Sequence, residues 1–176
     1  MKRLLLAAIM AALVVITSSV FSSEPLGPRH MTVEGQMTGQ KLVGMVPEGL
    51  RYDGPSTGVI TDGLLAGATF EGVDYALIRH DGVLVIDARY FCVAPDGATL
   101  AMTLKGFMGE PMPGLLEAML DPEYEQPDVE IPVHGAAWFE TMAPQYAFLN
   151  HTVYAMTGTV NPAKGTIRSV FRPIAE

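Results

Sequence analysis

Hydrophobic and polar residues alternate with a period of two along most of the chain beyond its first 22 residues. The alternating segments are short, and Gly and Pro, which number 18 and 13, separate them at close intervals. This pattern predicts β-strands with one buried face, joined by tight turns. The candidate strands are residues 30–39, 40–46, 56–63, 64–72, 73–80, 82–94, 98–107, 136–141, 146–160 and 166–174.

Asp-Gly pairs and a further turn sequence mark the links between several of these strands. Asp81-Gly82 and Asp96-Gly97 suit hairpin turns, because Gly adopts positive φ without steric cost, and residues 161–165 read NPAKG. Eight to ten short strands with such links predict an all-β fold, either an antiparallel barrel or a sandwich. A single antiparallel β-barrel is favoured because closure removes exposed strand edges.

Residues 107–133, FMGEPMPGLLEAMLDPEYEQPDVEIPV, interrupt the alternation. Leu115, Leu116, Met119 and Leu120 have helical spacing, which predicts one or two helical turns. The rest is acidic and rich in Pro. We therefore expect a partly helical, acidic insertion, which forms either a lid over one barrel mouth or a solvated excursion.

The first residues have the order of a secretory signal peptide. Lys2 and Arg3 precede the apolar run 4–16, and small polar residues follow it up to a plausible cleavage site after Ser22. The run is shorter than the roughly 20 residues that a membrane span needs, so an uncleaved anchor is the less favoured alternative. We expect a signal peptide at 1–22, a single barrel domain at 23–176, and a periplasmic or extracellular protein without a stable membrane anchor.

Composition narrows the possible partners. Loss of Lys2 and Arg3 with the signal peptide changes the formal charge from −8 to −10, which disfavours nucleic acid and anionic lipid as partners. Cys92 is the single cysteine, so no internal disulfide can form. Its apolar surroundings predict a buried small hydrophobe, with a catalytic thiol as the alternative.

Polar residues at three places suggest a site. Asp87 and Arg89 share one strand face, where they would either orient a ligand carbonyl or carboxylate or form a structural ion pair. Glu140 follows Trp138 and Phe139, whose bulk would raise its pKa and suit it to acid–base catalysis; a salt bridge to Arg89 or an edge charge are the alternatives.

The third place is the segment 146–156. If it is a strand, one face carries Tyr146, Phe148, Asn150, Thr152, Tyr154 and Met156. Aromatic rings with polar tips are typical of a small-molecule pocket, provided that this face looks into the barrel and not toward water.

Motifs for cofactors and metals are absent from the sequence. No Gly-rich phosphate loop, G-x-S-x-G elbow or closely spaced His pair occurs, so we expect neither a cofactor nor a metal site.

The segments TDGLLAGATFEGVDYALIRHDGVLVIDARYFCVAPDGATLAM and WFETMAPQYAFLNHTVYAMTG resemble the DUF3237 family, also called UPF0311. The matching residues are Gly63, Gly67, Asp74, Asp81, Gly82, Asp87, Ala88, Arg89, Tyr90, Asp96, Gly97, Ala98, Phe139, Glu140, Tyr146, Leu149 and Asn150. The resemblance covers about residues 55–175 and implies a small antiparallel β-barrel. Tyr75 and Phe148 stand where the family usually has Trp, and His134 where it often has Arg.

Three functions fit these observations. The first is a secreted barrel that binds a small apolar or aromatic, carbonyl-bearing ligand. Its candidate ligand-binding residues are Asp74, Tyr75, Asp87, His134, Trp138, Tyr146 and Asn150, with Arg89 and Tyr154 also at the polar end. The second is a cofactor-independent isomerase, cyclase or lyase, with Glu140 moving a proton and Arg89 and Tyr154 stabilising an oxyanion. The third is a structural envelope protein with a filled barrel.

Overall fold

The computed structural model describes residues 29–175, which form nine β-strands, one short α-helix and one 3₁₀ helix. The strands are β1 (Met31–Met37), β2 (Lys41–Val46), β3 (Gly49–Gly63), β4 (Thr69–Arg79), β5 (Leu84–Val93), β6 (Thr99–Met108), β7 (Ile131–Glu140), β8 (Val153–Asn161) and β9 (Thr166–Pro173). Helix α1 spans Leu115–Ala118, and the 3₁₀ helix spans Pro144–His151. The predicted signal peptide lies outside the described residues.

Eight of the strands close into an antiparallel barrel. Strands β3 to β9 pair in chain order, and β1 closes the ring by pairing with β9 on one side and with the second half of β3 on the other. Strand β2 pairs with the first half of β3, beyond the closed ring. The predicted all-β antiparallel barrel is therefore confirmed.

Several predicted strand boundaries were wrong. Residues 64–67 form a turn instead of a strand, because Gly67 adopts φ 88° and its N–H donates to the carbonyl of Ile60. The two strands predicted from 64–72 and 73–80 are consequently one strand, β4. Strands β3 and β7 also begin earlier than predicted, at Gly49 instead of Ser56 and at Ile131 instead of Ala136, so residues 131–133 belong to β7 and not to the insertion.

The predicted Asp-Gly turns are confirmed. Gly82 and Gly97 adopt φ of 80° and 84°, and Gly165 ends the NPAKG turn with φ 66°. Asp81 and Asp96 each accept a backbone N–H two residues further on. Side chain and backbone together thus fix each hairpin where the sequence places it.

The strand predicted over 146–160 begins only at Val153, and the residues before it form the 3₁₀ helix. Pro144 occupies the first turn of this helix, where its missing N–H costs nothing. The Asn150 side chain then bonds to the N–H and the carbonyl of Thr141, which closes the segment into a loop. The single polar face predicted for 146–156 therefore does not exist.

Residues 109–130, named the cap segment, lie over one barrel mouth. Of the two arrangements considered for the insertion, this is the one in which it covers the barrel. The N–H of Met112 donates to the carbonyl of Gly82, and Asp128 contacts both Lys164 at 2.7 Å and the Asn161 amide at 2.8 Å. These contacts fasten both ends of the cap segment to the hairpins of the barrel rim. The helical turn predicted near 115 is present as α1.

The opposite half of the barrel is filled. Phe139 and Tyr154 pack edge to face at 5.7 Å between ring centres, and Leu149 closes this end from the 3₁₀ helix. Cys92 is fully buried here, as predicted, and burial raises the pKa of its thiol to about 12. Neither helix in residues 29–175 has the length and hydrophobicity to cross a membrane.

Candidate functional site

A cavity of about 310 Å³, named the outer cavity, lies between the barrel mouth and the cap segment. Most of its lining is apolar, and thioethers are prominent. The lining residues are Met37, Gly39, Gln40, Tyr52, Ile78, Leu84, Met108, Met112, Leu115, Met119, Tyr124, Gln126, Pro127, Ile131, Val160 and Pro162. Unbranched Met side chains adapt to irregular shapes, so this cavity can fit differently shaped apolar groups.

A smaller space of about 70 Å³, named the inner chamber, lies deeper in the barrel. Its lining includes the polar residues Ser56, Asp74, Tyr90 and Ser169, together with Tyr52. Met37, Tyr52, Met108 and Val160 line both spaces. The two spaces therefore adjoin, with the apolar one toward the mouth and the polar one toward the centre.

The period of two along the strands brings these polar groups together. Tyr52, Gly54 and Ser56 occupy successive inward positions on β3, and Gly54 is the register partner of Asp74 on β4. A Cβ atom at Gly54 would meet only the Asp74 carbonyl oxygen at 3.8 Å and the Tyr52 ring at 4.0 Å. The missing side chain thus leaves room beside Asp74.

Asp74 interrupts the pairing of β4 with β5. Its Oδ1 atom accepts the backbone N–H of Asp87 at 2.9 Å, and the strand pairing is interrupted between the pairs Asp74–Ala88 and Leu77–Val85, with the register unchanged on either side. Burial is the main cause that raises the pKa of Asp74 from 3.8 to about 6. The carboxyl group therefore exchanges its proton close to neutral pH.

The hydroxyl groups of the inner chamber are incompletely bonded. Ser56 donates to the Tyr90 hydroxyl at 3.2 Å, and burial raises the pKa of Tyr90 to about 12. Tyr52 and Ser169 are each 7% exposed, and their hydroxyls have no hydrogen-bond partner within residues 29–175. Burial also raises the pKa of Tyr52. Neutral donors and one titrating carboxyl group therefore share this chamber.

Cationic side chains do not line either space within residues 29–175. The same residues contain no cluster of three or more His, Cys, Asp or Glu that could hold a metal. This arrangement can hydrogen-bond a polar group of a ligand, and Asp74 can exchange a proton with that group.

The three residues predicted to be catalytic lie apart. Tyr154 faces the filled half of the barrel, and its buried hydroxyl has no partner among the described residues. Arg89 and Glu140 lie on the outer wall, where they line separate surface depressions. Arg89 forms an ion pair with Asp87, the structural alternative considered from the sequence.

Of the residues predicted to bind a ligand, Asp74 lines the inner chamber, and the others lie elsewhere. Asp87 is on the outer wall between Arg89 and Lys105, and the Tyr75 ring lies under the Arg51 guanidinium. The remaining four are also outside the chamber: His134 against Phe107, Trp138 exposed on β7, and Tyr146 and Asn150 in the 3₁₀ helix.

Sequence reasoning missed Tyr52, Ser56, Tyr90 and Ser169. Alternation continued backward from Ser56 places Tyr52 and Gly54 on the same face, but the predicted strand begins only at Ser56. Tyr90 shares a strand face with Leu84 and Ile86 by alternation, and that face is the inner one. The sequence held no signal for Ser169, which comes from the last strand.

The hypothesis of a structural protein predicted a filled barrel. One half is filled, and the half under the cap segment contains the outer cavity and the inner chamber.

Solved structures share this fold. A protein with unknown function from Clostridium acetobutylicum matches with a TM-score of 0.68 and 19% identity, covering 84% of this chain and 98% of that one. A beta-barrel like protein from Acinetobacter baumannii matches with a TM-score of 0.59 and 21% identity, covering 81% and 91%. An enzyme from Penicillium herquei matches with a TM-score of 0.52 and 18% identity, covering 85% and 98%.

No curated protein sequence matches the chain. The family model described as "Protein of unknown function (DUF3237)" matches residues 29–172, which include every strand of the barrel except the last residue of β9. The chain therefore belongs to the DUF3237 family.

Proposed function

We propose that this protein binds a small, mostly apolar molecule, whose body fills the outer cavity and whose polar end enters the inner chamber. The observation that carries the proposal is an apolar cavity that ends in incompletely bonded polar groups, Tyr52, Ser169 and Asp74. Specific small-molecule sites commonly combine an apolar lining with a few convergent polar groups.

The dimensions support a ligand of modest size. The outer cavity, at about 310 Å³, is at the lower end of the range of about 300–1,000 Å³ that is typical of ligand sites. Its four Met side chains and Leu115 offer contact area without fixing a single shape. A compact ring system with one polar substituent fits these dimensions.

The Tyr52 and Ser169 hydroxyls have no protein partner, yet they are not sealed from the chamber: among residues 29–175 the fully buried side-chain atoms without a partner are the Arg51 Nε and the Tyr154 hydroxyl. Both chamber hydroxyls can therefore bond to a guest. Water can do so in the free protein, and a ligand that replaces that water must reproduce its hydrogen bonds. Residues 1–22 lead us to propose further that the protein acts after export, in the periplasm or outside the cell.

The test uses N-phenyl-1-naphthylamine, an uncharged aromatic probe whose fluorescence rises in apolar surroundings. We expect a saturable rise with the wild-type protein. Gly54→Leu, which fills the inner chamber, should weaken binding about tenfold or more, a loss of about 1.4 kcal/mol. Ala155→Leu, on the exposed outer face of β8, adds the same bulk and should leave binding unchanged. Equal binding by both variants would place the probe elsewhere and contradict the proposal.

A second candidate is an acid–base enzyme, a cofactor-independent isomerase, cyclase or lyase that acts on a carbonyl compound. The pKa of Asp74 near 6 favours it, because a general acid or base works best when its pKa lies near the working pH. Asp74 takes the role that the sequence suggested for Glu140, and the Tyr52 hydroxyl donates to the carbonyl oxygen. The solved structure from Penicillium herquei is described as an enzyme.

Deuterium incorporation separates the two candidates. Cyclic enones that shift the melting temperature would be incubated with the protein in heavy water and recovered. Incorporation or isomerisation by the wild type, lost in Asp74→Asn, is the result expected of an enzyme. Recovery of unchanged, undeuterated compound from a saturated wild-type protein would leave the binding function and exclude acid–base chemistry on that compound.

A further inference from the structure

We propose that the inner chamber selects ligands whose polar end is an uncharged or cationic hydrogen-bond donor, that is an alcohol, a phenol or an amine, and that it rejects carboxylates and other anions. This inference rests on the proposed binding function and specifies its ligand class. The charges and the hydrogen-bonding groups that line the chamber are the basis of this inference.

The charges that line the two spaces disfavour an anionic ligand. Within the described part of the chain, Asp74 is the one carboxylate in contact with either space, and no Lys, Arg or His contacts them. An anionic ligand would lose its hydration on entering the apolar cavity and would then face a second negative charge. Anion-binding sites in proteins instead present Arg, Lys or several convergent backbone N–H groups.

Further charged residues lie behind the chamber wall, on the outside of the barrel. Asp53 and Asp87 add to the negative field at Asp74, and Arg51 opposes it. The guanidinium of Arg51 lies 3.5 Å from Asp53 and over the Tyr75 ring. Its buried Nε atom has no hydrogen-bond partner within residues 29–175, but Arg51 lines neither of the two spaces. Asp87 is likewise paired with Arg89 and Lys105. The Asp74 carboxylate therefore remains the charge that a ligand meets.

The polar groups of the inner chamber have unused hydrogen-bonding capacity. The Oδ1 atom of Asp74 holds the Asp87 N–H, and its Oδ2 atom has no hydrogen-bond partner within residues 29–175. A carboxylate offers about four lone-pair sites, and Tyr and Ser hydroxyls accept as well as donate. A donating O–H or N–H thus finds an acceptor here, with the Tyr52 hydroxyl free to bond to the same group.

The volume of the inner chamber limits the polar end of a ligand to a small group. The inner chamber measures about 70 Å³, whereas one water molecule takes about 30 Å³ of liquid volume. That space suits a hydroxyl or amine group and the carbon that carries it. A carboxylate in the same space would bring two oxygens that both need donors, beside the Asp74 carboxylate.

The test compares three compounds with one biphenyl body: 4-phenylphenol, 4-phenylbenzylamine and biphenyl-4-carboxylate. Their dissociation constants would be measured by calorimetry at about pH 8, where Asp74 is ionised. We expect the wild type to bind the phenol and the amine at least about tenfold more tightly than the carboxylate, the ratio that 1.4 kcal/mol produces. In Asp74→Asn the amine should lose its advantage over the carboxylate.

Glu140→Gln is the matched control, because it removes one carboxylate from the exposed outer wall and should leave the three affinities in their wild-type ratio. Wild-type binding of the carboxylate as tightly as the phenol would overturn the inference and leave the binding function intact. Failure of all three compounds and of N-phenyl-1-naphthylamine to bind would contradict the proposed function itself. The wild-type ratio decides the inference even if Asp74→Asn fails to fold.

Discussion

The Oδ1 atom of Asp74 accepts the backbone N–H of Asp87 at 2.9 Å, so a side chain from inside the barrel bonds directly to a strand that carries charges on the outside. This hydrogen bond occurs where the pairing of β4 and β5 lapses. It holds the carboxyl group in the inner chamber, while the Asp87 side chain points outward to Arg89 and Lys105. Position 74 is therefore fixed by backbone geometry as well as by packing.

Asp74→Asn should stabilise the protein at neutral and alkaline pH. Because burial raises the pKa of Asp74 from 3.8 to about 6, the native state binds this proton more tightly than the unfolded chain. Above about pH 6 the buried carboxylate is ionised and destabilises the fold, whereas well below the unfolded-state pKa of 3.8 it is protonated in both states. The Asn amide oxygen can still accept the Asp87 N–H. We expect a gain of roughly 1–3 kcal/mol at about pH 8 that falls to a small fraction of this near pH 4.

Urea unfolding of both proteins at these two pH values measures that difference. An Asn variant that is less stable than the wild type by the same amount at both would show that the hydrogen bond to Asp87, and not the buried charge, dominates at this position.

Tyr52→Phe and Tyr154→Phe remove the same hydroxyl group from two buried tyrosines with different surroundings. The Tyr154 hydroxyl is buried without a partner among residues 29–175, so its removal should leave the free energy of unfolding unchanged or raise it by about 1 kcal/mol. The Tyr52 hydroxyl faces the inner chamber, so its loss should weaken 4-phenylphenol binding by about three- to tenfold. Weaker binding by the Tyr154 variant alone would indicate that the binding site lies in the filled half of the barrel.

Arg89→Ala and Glu140→Gln test the outer wall. The side chain of Arg89 is 48% exposed and Glu140 is also exposed, so each substitution should change the free energy of unfolding by less than about 1 kcal/mol. Neither residue contacts the outer cavity or the inner chamber, so probe affinity should stay within about twofold of the wild type. Loss of probe binding in the Arg89 variant would revive the outer-wall site suggested by the sequence.

Asp128→Ala should loosen the cap segment without unfolding the barrel. Asp128 bonds to Lys164 at 2.7 Å and to the buried Asn161 amide at 2.8 Å. Its removal leaves only the longer contacts of Glu130 with Asn161 and of the Pro127 carbonyl with the Ala163 N–H, both at 3.4 Å, to hold this end of the segment. Hydrogen exchange of the amides in 112–127 should accelerate, and the bound probe should dissociate several times faster. Lys164→Ala is the milder control, because it leaves the Asn161 contact in place. Unchanged exchange in Asp128→Ala would show that other contacts hold the cap segment.

Much of the fold could be predicted from local sequence signals. Alternation fixed the inward and outward faces of β5, including the shared outward face of Asp87 and Arg89, and Asp-Gly fixed two hairpins. Both signals act over a few residues, where backbone sterics alone decide the conformation. The same reasoning failed at 144–151, because the Asn150 side chain bonds to Thr141 nine residues earlier and turns the chain into a 3₁₀ helix.

The candidate site was much harder to predict, because its members come from strands far apart in the chain. Tyr52 and Ser169 are more than 100 residues apart and line one chamber only because β1 joins β3 to β9 and closes the ring. The sequence also drew attention to Glu140 and Arg89, whose chemistry is suitable but whose positions on the outer wall are not.

The sequence by itself determined the all-β class, the hairpins at Asp81-Gly82 and Asp96-Gly97, an interruption close to 107–133, which the structure places at 109–130, and the burial of Cys92. These follow from period, turn chemistry and side-chain type. The tertiary structure decided which polar residues meet. Barrel closure selects one face of every strand as the interior, and the absence of a side chain at Gly54 leaves space beside Asp74. Whether a carboxyl group lies in water or in a closed chamber depends on that closure, which no local pattern records.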